Sequence, residues 1–326
     1  MDSKTGAGTR DAAGDGRTCG VIRAVCVSSE KGTGKESVPE AVFVQAHGIE
    51  GDAHAGTWHR QVSLLSYEKV EAFNKNGAGV KDGDFGENLV VEGIDLGALE
   101  VGTILESGSG VLLEVTQIGK ACHHGCAIRE RMGECIMPSE GIFAKVLKGG
   151  IIRPGDRLCV TLPDPGRPFS AAVITVSDRS AAGLREDLSG PAAVRMLEEA
   201  GYEVLETILV PDEPERITQE LRRLADQRQV SLVVTSGGTG FSMRDRTPEA
   251  TLAVAERNAP GIAEAIRMKS MAVTEKAMLG RGVSVIRKKT LIVNLPGSPK
   301  AVEESLGFIL GALDHGLGIL RGSATD

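Results

Sequence analysis

Short apolar runs separated by glycine-rich turns fill the first half of the chain: Val21–Val27, Ala41–Ala46, Gln61–Leu65, Asn88–Val91, Val111–Gln117 and Arg157–Thr161. Runs of that length bounded by turn residues predict strands, so this half is expected to be a mostly-β barrel or folded sheet. Two helices are expected, around Tyr67–Asn74 and Ile142–Leu147. Then Leu162-Pro163-Asp164-Pro165-Gly166-Arg167-Pro168 concentrates proline and glycine, too stiff and too poor in backbone donors to continue a helix or central strand. Beyond it, strands at Ala171–Val176, Val204–Val210, Val230–Thr235 and Thr290–Asn294 alternate with helices at Pro191–Ala200, Glu213–Gln227, Pro248–Glu256, Gly261–Met278 and Pro299 to about Leu313. Such alternation predicts an α/β domain, a doubly wound, mostly parallel sheet with helices on both faces. The expected organisation is a disordered tail (1–19), a β domain (20–162), a linker (163–168) and an α/β domain (169–326).

Length agrees, since 326 residues suit two domains of about 150 each. Hydrophobic residues make up 41% of the chain but aromatic ones only 3%, so the cores must be built on Ala, Val, Leu and Ile. A net charge of −7 disfavours binding to a nucleic-acid backbone and leaves local anion pockets open. Without a membrane-length apolar stretch or a signal peptide, a cytoplasmic protein acting on small molecules is expected, with no membrane partner. Six cysteines in a chain of this kind argue against a disulfide framework.

In open α/β sheets, ligands bind beyond the carboxyl ends of the strands. After Val230–Thr235 comes Ser236-Gly237-Gly238-Thr239-Gly240, followed by Arg244-Asp245-Arg246-Thr247-Pro248-Glu249. The glycines bring N–H groups close to an anion, and Thr247 as N-cap with Pro248 in the first turn starts a helix facing phosphate. Pro296-Gly297-Ser298-Pro299 repeats the device, Ser177-Asp178 ends the first strand, and Ser189-Gly190-Pro191 starts another helix. Three such helix starts on one edge form an anion cradle. Asp212 and Asp245 stand on that edge, and carboxylates beside phosphate imply an intervening Mg²⁺; the structural alternatives are that Asp212 caps its helix and Asp245 pairs with Arg244 or Arg246.

The ordered set Val210-Pro-Asp212-Glu, Ser236-Gly-Gly-Thr-Gly240, Arg244-Asp245-x-Thr247-Pro248-Glu249-Ala250 and Leu295-Pro-Gly-Ser-Pro299 resembles the molybdopterin-binding MoaB/Mog family over about Ser170 to Leu320. The resemblance implies a homotrimer that binds molybdopterin and Mg-ATP and transfers AMP to the pterin's terminal phosphate, with pyrophosphate released. It assigns catalysis and Mg²⁺ to Asp212 and Asp245, and phosphate binding to Gly237, Gly238, Thr239 and Gly240. Ser177, Asp178, Ser189, Gly190, Ser236, Thr247, Pro248, Pro296, Gly297 and Ser298 are the remaining cofactor-binding candidates.

In the first half, Glu30-Lys31-Gly32-Thr33-Gly34-Lys35-Glu36 fails the Walker pattern and reads as a solvated basic loop. Gly48-Ile-Glu-Gly-Asp52-Ala-His54-Ala-Gly56, Arg60-Gln-Val-Ser-Leu-Leu65 and Phe85-Gly-Glu87-Asn88-Leu89 resemble a MOSC domain covering roughly Gly20 to Leu162. That resemblance implies sulfur or pterin-related chemistry centred on one cysteine near Cys122, with Asp52, His54, Arg60, Glu87 and Asn88 as pocket candidates. Cys122 stands beside Lys120, His123 and His124, and three readings remain open: a reactive thiolate, a metal site with Cys126, Cys135 and one His, or inert thiols. The functional alternatives to adenylylation are a non-catalytic carrier of molybdopterin and a MOSC half that reduces N-hydroxylated compounds. Molybdenum and tungsten are equally compatible with these motifs.

Overall fold

A computed structural model describes residues 17–120 and 127–323, and the chain divides into two compact units, Met1–Pro163 and Asp164–Asp326. The first contains β1 Cys19–Val27, β2 Glu36–Val38, β3 Ala41–Val44, β4 Gly48–Ile49, β5 Val62–Ser66, α1 Tyr67–Lys75, β6 Leu89–Glu92, β7 Ile104–Ser107 and β8 Leu112–Ile118. It continues with α2 Ala127–Met132, α3 Met137–Glu140, β9 Ile142–Lys148, β10 Gly150–Ile152 and β11 Arg157–Thr161. Seven strands run in the order β11-β7-β8-β9-β5-β6-β1, and pairing of β1 with β11 closes them into a barrel. Alternate residues point inward: Val62 and Leu64, Leu89 and Val91, Leu113 and Val115, Leu158 and Val160 share one core. Outside the barrel, α1 packs Val70 and Phe73 against Leu65, Phe85 and Phe143.

Two expectations fail here. Ile142–Leu147 is a strand, not a helix: Ile142, Ala144 and Val146 enter the barrel core at period two while Phe143 faces the outer cluster. A strand is required there because β9 bridges β8 and β5, and the barrel could not close without it. Cys19 and Cys159 are joined by a disulfide, because barrel closure places them opposite each other across β1 and β11 despite a separation of 140 residues. The short strands β2, β4, β7 and β10 also lie outside the predicted runs; two to four residues carry too few side chains to reveal a period.

The second unit contains β12 Ser170–Val176, α4 Asp178–Ala181, α5 Ser189–Glu199, β13 Glu203–Val210, α6 Pro214–Arg222, β14 Leu232–Ser236 and α7 Thr247–Leu252. It ends with β15 Arg257–Asn258, α8 Pro260–Met271, β16 Ser284–Arg287, β17 Thr290–Leu295 and α9 Pro299–Arg321. The sheet order is β13-β12-β14-β17-β16-β15; β13 to β17 are parallel and the β16-β15 edge is antiparallel. One face packs Val173, Val234 and Val293 against α5, α8 and α9, and the other packs Ile174, Val233 and Ile292 against α6 and α7. Burial on both faces explains why β12 reads as an unbroken apolar run.

Helix α9 runs past the expected end at Leu313 because Leu313 and Leu317 continue its buried stripe, and it stops at left-handed Gly322. Its Arg321 donates to the carbonyls of Pro165 and Pro168 and stacks on Phe169, so the proline-rich segment is held by the second unit. Among the described residues, no helix is long and apolar enough to cross a membrane.

Candidate active site

The loops that follow β12, β13, β14 and β17 meet at the carboxyl edge of the second sheet, around a cleft of about 550 Å³. Their contact is backbone on backbone. Gly237 has φ +101°, and a Cβ there would lie 2.2 Å from the Val176 carbonyl oxygen; one on Gly297 would lie 3.2 Å from the Gly237 Cα. Only glycine satisfies both the left-handed conformation and this approach. The cleft gathers Ser177, Asp178, Ser189, Asp212, Ser236, Gly237, Gly238, Asp245, Gly297 and Ser298 from the predicted set.

Other predicted residues fall elsewhere. The chain reverses at Gly237 and Gly238, both at positive φ, so Thr239, Gly240 and Pro296 line a second, more apolar pocket of about 320 Å³ with Ile266 and Leu279. Gly190, Thr247 and Pro248 support the cleft without lining it. Thr247 is not an N-cap: Arg246 holds that position, while the Thr247 amide donates to the Gly238 carbonyl and its buried hydroxyl has no hydrogen-bond partner.

The three helix starts are also unequal as anion sites. At α5, Asp187 Oδ1 accepts from the amides of Ser189 and Gly190 and from the Ser189 hydroxyl, each at 3.0 Å. An internal carboxylate therefore occupies the donors expected for phosphate. Burial raises the Asp187 pKa, but the bonds from Gly190 and Ser189 prevail and hold it below the ordinary value. At α9, Ser298 Oγ accepts from Ala301 N, as a capping serine should.

Asp212 does not cap α6, whose N-cap Glu213 makes no side-chain capping bond. Instead Asp212 Oδ2 accepts from Asp178 N and Asp178 Oδ1 accepts from Asp212 N, each at 2.9 Å, which locks the ends of β12 and β13 together. Arg244 pairs with Asp178, donating from Nε and Nη2 at 2.9 and 2.8 Å, while Asp245 accepts from Ser242 N at 2.9 Å. Burial, then the neighbouring carboxylates of Asp178 and Asp245, push the Asp212 carboxyl above its ordinary value. The hydrogen bond from Arg244 holds Asp178 below its own.

In the barrel, Asp52, His54 and Asn88 come together around a buried ion pair. Asp52 accepts from Lys35 Nζ at 2.5 Å, Asn88 Nδ2 at 3.0 Å, His54 N at 2.9 Å and Ser28 N at 3.2 Å. Burial pulls this carboxyl upward, yet the bonds from His54 and Lys35 hold it well below the usual range. Lys35 Nζ also lies 3.3 Å from His54 Nδ1, whose ring reaches the surface. The expected solvated basic loop thus sends its lysine inward, to 4% exposure. Glu87 is fully buried but turns to Gly83 N at 2.7 Å, and burial raises its pKa to about 7. Arg60 stands apart from the ion pair, its guanidinium between the rings of Trp58 and Phe143.

Cys122 and Cys126, with the neighbouring histidines, lie outside the described residues. Cys135 packs partly buried against the α1 cluster, and no group of three or more His, Cys, Asp or Glu among the described residues is placed to hold a metal by itself.

Residues 172–315 match the family described as a probable molybdopterin binding domain, and residues 51–159 match the MOSC domain. The chain is 48% identical over 136 residues to the molybdopterin adenylyltransferase of Haemophilus influenzae, covering 41% of this chain and 69% of that protein. To the Escherichia coli protein of the same name it is 46% identical over 137 residues, 41% and 70% of the two chains. To that of Helicobacter pylori it is 40% identical over 153 residues, 46% and 87%. The chain belongs to the molybdopterin adenylyltransferase family.

In this family member, three residues that shape the two sites escaped the sequence reading. Asp187 stands two residues before the Ser189-Gly190-Pro191 helix start and carries no motif signal of its own. Arg281 binds the carbonyls of Gly240 and Asp245 and the Glu249 carboxylate, pinning both ends of the loop that carries Asp245. Lys35 gave no sign of its partner, since nothing in a glycine-rich turn says which way its lysine points.

Proposed function

We propose that the second unit, as a homotrimer, adenylylates molybdopterin: a pterin phosphate oxygen attacks the α-phosphorus of ATP, and the bond to pyrophosphate breaks. The observation that carries this reading is the glycine-only convergence of strand-end loops around a cleft with Asp212 and Asp245 on its rim. On this reading the doubly wound sheet serves as a rigid platform, and the loops need only bind and align, because the phosphate is itself the nucleophile.

Mg²⁺ suits the residues present. A Cβ on Gly238 would meet Asp212 Oδ1 at 3.0 Å and one on Gly240 would meet Asp245 Oδ2 at 2.8 Å, so both carboxylates lean on the glycine loop. This ion commonly takes one or two carboxylates and completes its shell with substrate phosphates and water. Its contribution would be to neutralise phosphate charge beside the acidic rim. Gly237 and Gly238 let the backbone approach phosphate, and the loop after β17 closes the cleft from the other side. Exposed Met268, Met271, Val273 and Met278 supply an apolar face for trimer contacts, and a mass in solution other than three chains would remove that part.

The MOSC unit is assigned to sulfur or cofactor handling in the same maturation route; a persulfide on Cys122 after incubation with a persulfide donor, whose outer sulfur passes to the thiolate as the donor leaves as a thiol, sought by mass spectrometry, tests this. For the transfer itself, the deciding experiment is pyrophosphate release from Mg-ATP by the full chain with and without molybdopterin. Pterin-dependent release is expected. Pterin binding without release would place a carrier role first.

A further inference from the structure

The tip of the loop after β14 stands out from the cleft, with Phe241 70% and Met243 86% accessible. Arg281 pins its base, while Arg244 tethers the tip across the cleft to Asp178 through two parallel bonds. Asp178 is fixed independently by its reciprocal bonds with Asp212. The cleft is lined by Asp178, Glu186, Asp187, Asp212 and Asp245 against Arg179, Arg185 and Arg244. A guanidinium fork matches phosphate as well as carboxylate, and phosphate carries more charge. The Arg244–Asp178 pair is about half exposed, 57% and 42% by side chain, so solvent screens it and it holds the tip only weakly.

We propose that Arg244 is a phosphate-exchanged latch: Asp178 holds its guanidinium until a polyphosphate entering the cleft takes it over. This rests on the cleft being the nucleotide site proposed above. Asp178 is then a positioning residue, the internal anion with which the ligand must compete. Asp212 keeps it in place, so the exchange moves the loop tip while Asp178 and Asp212 stay locked together.

The test is calorimetric binding of tripolyphosphate to the full chain in the presence of a chelator. Arg244→Ala should weaken binding about tenfold, the loss of one charge-assisted fork, and Arg244→Lys should fall between the two. Asp178→Asn should tighten binding several-fold by removing the competitor, and that gain should vanish in the Asp178→Asn/Arg244→Ala double variant. A gain that persists without Arg244 is a general charge effect and overturns the latch, as does no gain at all. Unchanged melting of each variant excludes misfolding as the cause. Pterin-dependent pyrophosphate release with no latch pattern would sink this inference alone, whereas the latch pattern without release would sink the transfer reading and leave the latch standing.

Discussion

Asp52 in the barrel and Asp212 in the cleft are both carboxylates anchored by backbone amides, yet they are placed for opposite purposes. Asp52 is surrounded by Lys35, Asn88, His54 and Ser28, so its lone pairs are spent inside the protein. Asp212 takes one amide from Asp178, sits near two further carboxylates and opens onto the cleft. A fully satisfied buried carboxylate joins loops together, while one left short of donors beside like charges keeps unspent lone pairs, the feature on which its proposed role toward a cation rests.

Three substitutions would break or sharpen that contrast. The largest effect is expected from Asp52→Ala, which strands the Lys35 ammonium in the barrel and should lower the unfolding free energy of the first unit by about 3–5 kcal/mol. Denaturant unfolding of the full chain measures it; a loss near zero would mean the hub does not hold the loops. Asp245→Asn should leave melting unchanged while reducing pterin-dependent pyrophosphate release by at least about a hundredfold, roughly 2.7 kcal/mol of barrier. Full retained turnover removes Asp245 from the reaction.

Glu87 offers the smallest and most pH-selective effect. Its carboxyl titrates near 7 in the fold against an ordinary value of 4.5, so the folded state binds the proton more tightly than the unfolded one. Stability of the first unit should therefore fall as pH rises from about 4.5 through 7 and level off above. Glu87→Gln should flatten that slope and stabilise the unit at pH 8 by on the order of 2 kcal/mol, with little change at pH 4. Melting curves across this range decide the matter, and an unchanged slope in the variant would assign the dependence to another group.

Much of the second unit was legible along the chain. Its parallel strands are buried on both faces and read as long apolar runs, and the glycine, serine and proline punctuation between them follows from local backbone chemistry. The barrel was less legible. Ile142–Leu147 carries residues that suit either a helix or a strand, and the choice falls to the neighbours β5 and β8. The candidate site divided in the same way. The glycines, Asp212 and Asp245 stood out through their spacing, whereas the donors of Ser189 and Gly190 looked open because their acceptor, Asp187, becomes an internal cap only once the turn is folded.

By itself the sequence determined the two-part organisation, the β and α/β character of the halves, and part of the cleft lining, Gly237, Gly238, Asp212 and Asp245 among it, since these follow from periodicity and local conformational preference. Tertiary structure alone decided the Cys19–Cys159 closure, the inward turn of Lys35 onto Asp52, and the clasp of Arg244 on Asp178. Each of those joins groups at least 17 residues apart. No local preference encodes such pairings; they exist because the folded cores set distant strands side by side and bring distant loops to one edge, where complementary groups meet.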